Sequence, residues 1–539
     1  MTEGLLHPGD VIHIFLAASI ANWHEHKGLA SVRFLPRFTF ERVPPVGIFP
    51  FHYQSENKIE PHKTDANLIF YRAFLKETFK NILLNFHFMN IYVETYGCTA
   101  NVNNGELAKG ILAKNNTIVD SEKDADVIVL NTCVVKGPTE NRIIARIKEL
   151  NHKRLIITGC MPDANPDMIK KVCPDALLVS SHRIKDISEA LEKNIDLLDR
   201  QQKVHEIKLG LPKINANPYI EIIQISEGCL GICTFCMTKA AKGNVFSYPI
   251  SAIIHEIENS SAKEFWLTSQ DCGAYGLDNG TNLVSLLTEI SKIPKEFKVR
   301  VGMANPNHIK RMLFPLIEIF KNDKILKFLH CPIQAGSDEV LKKMKRGYSK
   351  KDYVEIISAF KKNIPEMTFS TDVICGFPTE TEEEFNETLE VIKETKPDIV
   401  NISRYWIRPN TLAAELPQLD VHTVMNRSKR MSELCKDISH AQNKEWIGWI
   451  GKVFISEINE NNFSTNVNHK KSFIGRNYAY KTIAINSSEI LLGKEIFVKI
   501  TSAGPYSLIG EIIVEEKNIQ EKKIVQTKPL IKEKIITIQ

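Results

Sequence analysis

From residue 89 onward the spacing of apolar and polar positions changes period several times, and those changes divide the chain. Met89 opens a strand pattern that runs through Ile91-Tyr-Val-Glu-Thr-Tyr-Gly-Cys98. Val127-Ile-Val-Leu130 is a β-branched run that leads into Asn131, Thr132 and Cys133. Ile143, Ile144, Ile147 and Leu150 then recur at helical spacing, which predicts a helix beginning near Thr139. A third run, Leu155-Ile-Ile-Thr158, ends at Gly159 and Cys160. Strands alternating with amphipathic helices over residues 89–205 predict a parallel sheet with right-handed crossovers.

The alternation continues on a larger scale over residues 217–440. Predicted strands are Tyr219–Gln224, Glu264–Thr268, Lys298–Met303, Lys327–Leu329, Thr368–Ile374 and Ile399–Arg404. Thr381 and Glu384 have capping-box spacing after Gly376-Phe-Pro378, and Glu382 and Glu383 suit the positive end of the helix that follows. Six β/α units predict a full or partial β/α barrel, with its chemistry at the carboxyl ends of the strands. Over residues 446–513 the pattern shifts to short strands, Lys452–Ile458, Tyr480–Ile485 and Glu495–Ile500, separated by Asn, Ser and Gly turns. That is the pattern of a small β-barrel. The expected fold class is therefore α/β: a parallel α/β domain, a β/α barrel and a small C-terminal β-barrel. Residues 514–539 read as a charged tail. Residues 1–88 sustain neither period. They are either an extension or a translation of sequence upstream of a true start at Met89.

Composition narrows the function classes only a little. Hydrophobic content of 43% and charged content of 25% are those of an ordinary globular protein. No run approaches the roughly 18 apolar residues that span a bilayer. The apolar stretch Val11–Ala21 is broken by His13 and preceded by Glu3 and Asp10, unlike a secretory leader. Eleven cysteines, an odd number in a long chain, fit metal ligation in a reducing cytoplasm better than a disulfide framework. The net charge of +5 is compatible with nucleic acid without requiring it.

Candidate chemistry centres on Glu227-Gly-Cys229-Leu-Gly-Ile-Cys233-Thr-Phe-Cys236. Three thiolates spaced CxxxCxxC on one loop can bind three irons of a cubane 4Fe-4S cluster and leave the fourth iron open. An open iron can take the amino and carboxylate groups of S-adenosylmethionine, and an electron from the cluster can cleave the sulfonium to a carbon radical. A structural zinc would want a fourth ligand, which this loop does not supply.

Cys98, Cys133 and Cys160 are far apart in sequence but share one structural address, directly after a predicted parallel strand. The carboxyl ends of parallel strands lie on one edge of the sheet, so the three thiols are expected to converge there and hold a second 4Fe-4S cluster. Gly97 and Gly159 would permit close backbone approach. The alternative is three buried structural cysteines. Cys173, Cys272, Cys331, Cys375 and Cys435 show no such arrangement and are assigned to packing, with Cys272 and Cys331 as possible pocket neighbours.

The CxxxCxxC spacing, with Phe235 before the last cysteine, resembles the radical S-adenosylmethionine superfamily. The segments Leu267–Asp271, Met303–Pro306 and Pro332–Asp338 look like its cofactor-contacting strand ends. That likeness implies S-adenosylmethionine contacts from Ser269, Gln270, Asn305, Gln334, Gly336 and Ser337. Together with the three-cysteine sheet and the C-terminal module, the chain resembles the methylthiotransferase family from about Met89 to Ile512. The module itself, through Gly475-Arg-Asn-Tyr478 and Gly493 to Gly510, is similar to the TRAM domain, a nucleic-acid-binding barrel. Lys470, Lys471, Arg476 and Lys481 are its candidate phosphate contacts. Cys236-Met-Thr-Lys-Ala-Ala-Lys-Gly243 is similar to the C-x-T-K-x-A-R-G run of the archaeal and eukaryotic branch that acts on N6-threonylcarbamoyladenosine in tRNA, at position 37 beside the anticodon. Lys242 stands where that branch usually has arginine, and Ile407 and Asn410 stand where relatives show proline and glycine.

The resemblance implies two 4Fe-4S clusters, S-adenosylmethionine and tRNA, with an electron donor and a source of sulfur, and it leaves the oligomeric state open. It also implies substrate contacts from Lys239, Lys242, Tyr405 and Arg408; a cation such as Lys239 suits a threonyl carboxylate. The competing expectations are methylthiolation of another tRNA adenosine or of a ribosomal protein, and a non-enzymatic iron–sulfur RNA-binding protein.

Overall fold

The computed structural model describes residues 88–135, 137–198, 205–459 and 471–513. The N-terminal extension, the charged tail and Lys470 lie outside the described residues. The first sheet is five-stranded and parallel. Strand β1 (Asn90–Thr95) pairs with β2 (Val127–Thr132), and β2 pairs with β3 (Arg154–Gly159). Two-residue strands at Thr117–Ile118 and Leu177–Leu178 form the edges. Every residue of β2 is buried, as a central strand covered on both faces requires. Ile128 and Leu130 enter one core with Ile143 and Ile147, while Val127 and Val129 enter the other with Ile91 and Leu107. Helices α1 (Thr99–Leu112), α2 (Gly137–Glu149) and α3 (Cys160–Ala164) follow β1, β2 and β3 in turn.

Apart from a short antiparallel pair, Ser226–Glu227 with Phe246–Ser247, the next six strands are also parallel and lie in chain order. They are β4 (Ile220–Gln224), β5 (Glu264–Thr268) and β6 (Lys298–Val301) in one sheet, then β7 (Phe328–His330), β8 (Thr368–Cys375) and β9 (Ile399–Arg404) in another. A parallel bridge between Val299 and Ile325 links the two sheets. One apolar core, including Ile223, Phe265, Val299, Leu329 and Phe369, lies under both. The expected barrel is thus partial. Helix α4 (Thr238–Lys242) follows the CxxxCxxC loop, α5 (Glu382–Thr395) follows β8, and α6 (Val421–Lys444) follows β9. The capping box of α5 forms as its spacing predicts: Thr381 Oγ1 accepts from Glu384 N at 3.2 Å, and Thr381 N donates to Glu384 Oε2 at 2.7 Å.

Strands β10 (Ile450–Ile458), β11 (Lys471–Arg476), β12 (Thr482–Ser487), β13 (Glu495–Ala503) and β14 (Leu508–Ile512) close into a barrel in the order β10-β11-β12-β14-β13. Two of the cations expected to meet phosphate are committed elsewhere. Arg476 lies over the Tyr480 ring at 5.1 Å and donates to Glu457 at 2.7 Å, in a stack completed by Arg300, Trp266 and Phe328. Lys481 is buried and pairs with Asp398 at 2.6 Å. Both therefore fasten the barrel to the strands beside it; Lys471 is exposed. Replacing Lys481 with methionine leaves Asp398 buried without its cation. The expected cost is about 3–5 kcal/mol, read as a lower denaturation midpoint of the full chain.

Candidate active site

Cys98, Cys133 and Cys160 leave the first sheet at one edge. Gly97 has φ +107°, and a Cβ there would lie 2.7 Å from Cys133 Cβ and 2.8 Å from its Sγ. Gly159 has φ +88°, and its Cβ would lie 2.3 Å from Thr132 O. Only glycine fits either position. Asn101, in the first turn of α1, braces the edge: its Nδ2 donates to Thr132 O at 2.7 Å and Tyr96 O at 2.9 Å, and its Oδ1 accepts from the Cys160 thiol at 3.7 Å. Asn131 returns a bond to Asn101 O at 2.6 Å. Burial raises the Cys133 thiol and pushes Cys160 up to about 12. Such thiols hold their protons until a metal displaces them. Cys98 and Cys133 are near enough to Cys160 to act on it by charge, beside Gly97 and Gly159; thiols grouped this way are of the kind that could hold a 4Fe-4S cluster.

The second thiol set is held by its own loop. Gly228 N donates to Gln270 Oε1 at 2.7 Å, Cys229 N to Gly243 O at 3.2 Å, and Gly231 N to Cys229 Sγ at 3.2 Å. Burial pushes Cys229 up to about 11 and raises Cys233, where the Arg346 guanidinium opposes the rise. Arg346 Nη1 donates to Cys233 Sγ at 2.9 Å, its Nη2 to Asn305 Oδ1, and its Nε to the Tyr348 hydroxyl at 3.0 Å. Asn305 in turn donates Nδ2 to Asp271 Oδ2 at 2.6 Å. Arg346 and Asp271 carry the frame of this site; Asp271 closes a segment marked in the sequence but was given no role there, and Arg346 was not marked at all. Arg346 stands in an ordinary basic stretch, and its partner lies 113 positions away.

The six candidate S-adenosylmethionine contacts divide. Ser269 Oγ accepts from Asp271 N at 3.0 Å, while Gln270 and Asn305 are bonded to the loop and to Asp271 as above. Gln334 has φ +71° and lines a cavity of about 560 Å³. Gly336 instead meets a helix: its N–H is taken by Thr388 at 2.8 Å, and a Cβ would lie 2.5 Å from Thr388 Cα. Ser337 is buried at the start of the helix Asp338–Lys343.

That cavity reaches residues from both thiol loops. Val134, next to Cys133, and Cys236 itself line it, with Phe235, Thr238, Tyr405 and Arg408. Arg408 is 4% exposed; one nitrogen pairs with Glu140 of α2, and Nη2 is buried with no partner. The Tyr405 hydroxyl is likewise buried and unpaired. In the Tyr405–Ala414 segment Asn410 takes φ +59°, a left-handed backbone that asparagine tolerates. The two lysines proposed for substrate do not line the cavity. Lys239 folds back onto its own loop, donating to Cys229 O and to Asn244 Oδ1 at 2.8 Å. Lys242 is 1% exposed and donates to Ser181 Oγ at 2.8 Å. Burial of a long cation requires such partners, and here they are internal.

A parallel β/α sheet with a CxxxCxxC loop after its first strand defines a radical S-adenosylmethionine protein, and residues 223–392 match the Radical SAM superfamily. Residues 90–180 match "Uncharacterized protein family UPF0004". A probable threonylcarbamoyladenosine tRNA methylthiotransferase of Pyrococcus horikoshii is 41% identical over 68% of this chain and 88% of its own length. The threonylcarbamoyladenosine tRNA methylthiotransferases of Drosophila melanogaster and Homo sapiens are each 34% identical over 79% of this chain, covering 78% and 74% of their own lengths. The chain belongs to the threonylcarbamoyladenosine tRNA methylthiotransferase family.

Proposed function

We propose that this chain adds a methylthio group to C2 of N6-threonylcarbamoyladenosine in tRNA, using two iron–sulfur clusters. The observation that carries the reading is one cavity, about 560 Å³, bordered by Cys236 and by Val134 beside Cys133. That size suits a modified nucleobase. When bound, the cluster of Cys229, Cys233 and Cys236 supplies the electron that cleaves S-adenosylmethionine, and that of Cys98, Cys133 and Cys160 supplies the methylthio sulfur. The protein's own part is positioning. Arg346 and Gln270 fix the Cys229 loop, Asn101 fixes the Cys133 edge, and buried apolar walls such as Val134 and Met237 keep water from a radical. Arg408, with one nitrogen unspent, takes the threonyl carboxylate in place of Lys239.

No helix among the described residues is long and apolar enough to cross a membrane. Free thiols and a tRNA substrate favour the cytoplasm. The test is anaerobic reconstitution with S-adenosylmethionine, a reductant, a sulfide source and tRNA carrying threonylcarbamoyladenosine. The expected result is about eight irons per chain, 5′-deoxyadenosine, and a methylthio mass gain on the tRNA. Turnover of isopentenylated tRNA alone would overturn the substrate assignment.

A further inference from the structure

Helix α4 begins two residues after Cys236 and packs on α3, the helix that starts with Cys160. Met237 and Ala241 share one apolar core with Cys133, Cys160 and Met161. His182 Nε2 lies 3.1 Å from Ala241 O. The peptide just past one thiol set is therefore a strut against the other. At its end, the Lys242 ammonium donates to Ser181 Oγ and lies 3.8 Å from Glu227 Oε1. Ser181 Oγ donates to Asp163 Oδ2 at 2.6 Å, three residues past Cys160, while Glu227 stands two residues before Cys229. Lys242 is thus tied to both loops, and buried Lys208, which donates to Ser181 O at 2.7 Å and to Glu227, is a second such tie.

Other groups crowd Glu227 as well. Lys208 donates to it, and the Nδ1 atoms of His182 and His205 lie 3.4 and 3.7 Å from its Oε2. Two histidines and a carboxylate at this spacing could ligate a metal. Two ammonium groups already face the same carboxylate, however, and a buried dication would add uncompensated charge. The cluster is better described as a charge-balanced joint. Lys242 follows Ala241, which packs in one core with Cys160, so its charge stands beside that thiol loop.

We infer that Lys242 is a positioning residue for sulfur transfer: it locks the Cys160 loop against the Cys229 loop and favours the reduced form of the cluster that Cys98, Cys133 and Cys160 hold. The inference rests on the two-cluster reading above. It is tested with Lys242→Met and Lys242→Arg in the reconstituted full chain. In the methionine variant, iron content is expected to match wild type, while methylthiolated product per 5′-deoxyadenosine falls on the order of tenfold. The midpoint of the cluster held by Cys98, Cys133 and Cys160, followed by electron paramagnetic resonance, moves to more negative potential, and arginine restores both readouts. Unchanged coupling and midpoint in Lys242→Met would overturn the inference. So would an arginine variant as defective as methionine, which marks a site sensitive only to shape. A wild-type count of about four irons would instead refute the two-cluster reading itself.

Discussion

Alanine at Cys133 is expected to abolish methylthiolation while 5′-deoxyadenosine still forms. Cys133 is buried in the crook of Gly97, with Val135 N donating to its sulfur at 3.4 Å, so no other side chain can swing into its place without displacing that backbone. Removing one of three sulfur donors leaves a site with two, too few for a stable cubane with one open iron. Iron content is expected to fall from about eight to about four per chain. The loss of product should exceed the roughly 10–100-fold that follows removal of an outer partner. Cys233→Ala is the reciprocal case, because that sulfur belongs to the set that cleaves S-adenosylmethionine. It should end both 5′-deoxyadenosine and product. Iron analysis, chromatography of the nucleoside and mass spectrometry of digested tRNA read the three quantities separately. If Cys133→Ala also ends 5′-deoxyadenosine formation, the two thiol sets do not have separate roles.

The separation of those sets was legible in the sequence because it depends on backbone. β2 is buried on both faces and reads as a continuous apolar run, and parallel strands must deliver their following residues to one edge. The charged residues were much less legible. Lys239, Lys242, Arg476 and Lys481 all read as cations free for RNA or substrate, and all four end on internal acceptors or rings. A lysine's destination is set by anions brought near by the fold, and those anions lie up to 83 positions away. Periodicity also failed at β11 and β14, whose Gly475 and Gly510 interrupt the alternation where neighbouring side chains press in. Asn410 shows the opposite case. It stands where relatives show glycine, and it takes a left-handed backbone that asparagine tolerates.

Arg346 had no legible signal, and it carries the second large expectation. Its guanidinium spans from Cys233 Sγ to Asn305 Oδ1, and Asn305 is bonded in turn to Asp271. A planar fork can serve both acceptors at once; an ammonium cannot. Arg346→Met removes a hydrogen bond and a positive charge from a cluster sulfur. Both changes make the cluster harder to reduce, so its midpoint should move to more negative potential. It also frees Asn305, four residues beyond β6 at the start of the next helix, where S-adenosylmethionine is expected. The KM for S-adenosylmethionine should therefore rise and 5′-deoxyadenosine formation fall, together by about 10–100-fold. Arg346→Lys keeps the charge but loses the fork, so it should recover most of the potential and little of the KM. That split separates the two roles, since simple misfolding would move both together. A methionine variant with wild-type KM, rate and midpoint would show that the contact with Cys233 has no part in the chemistry.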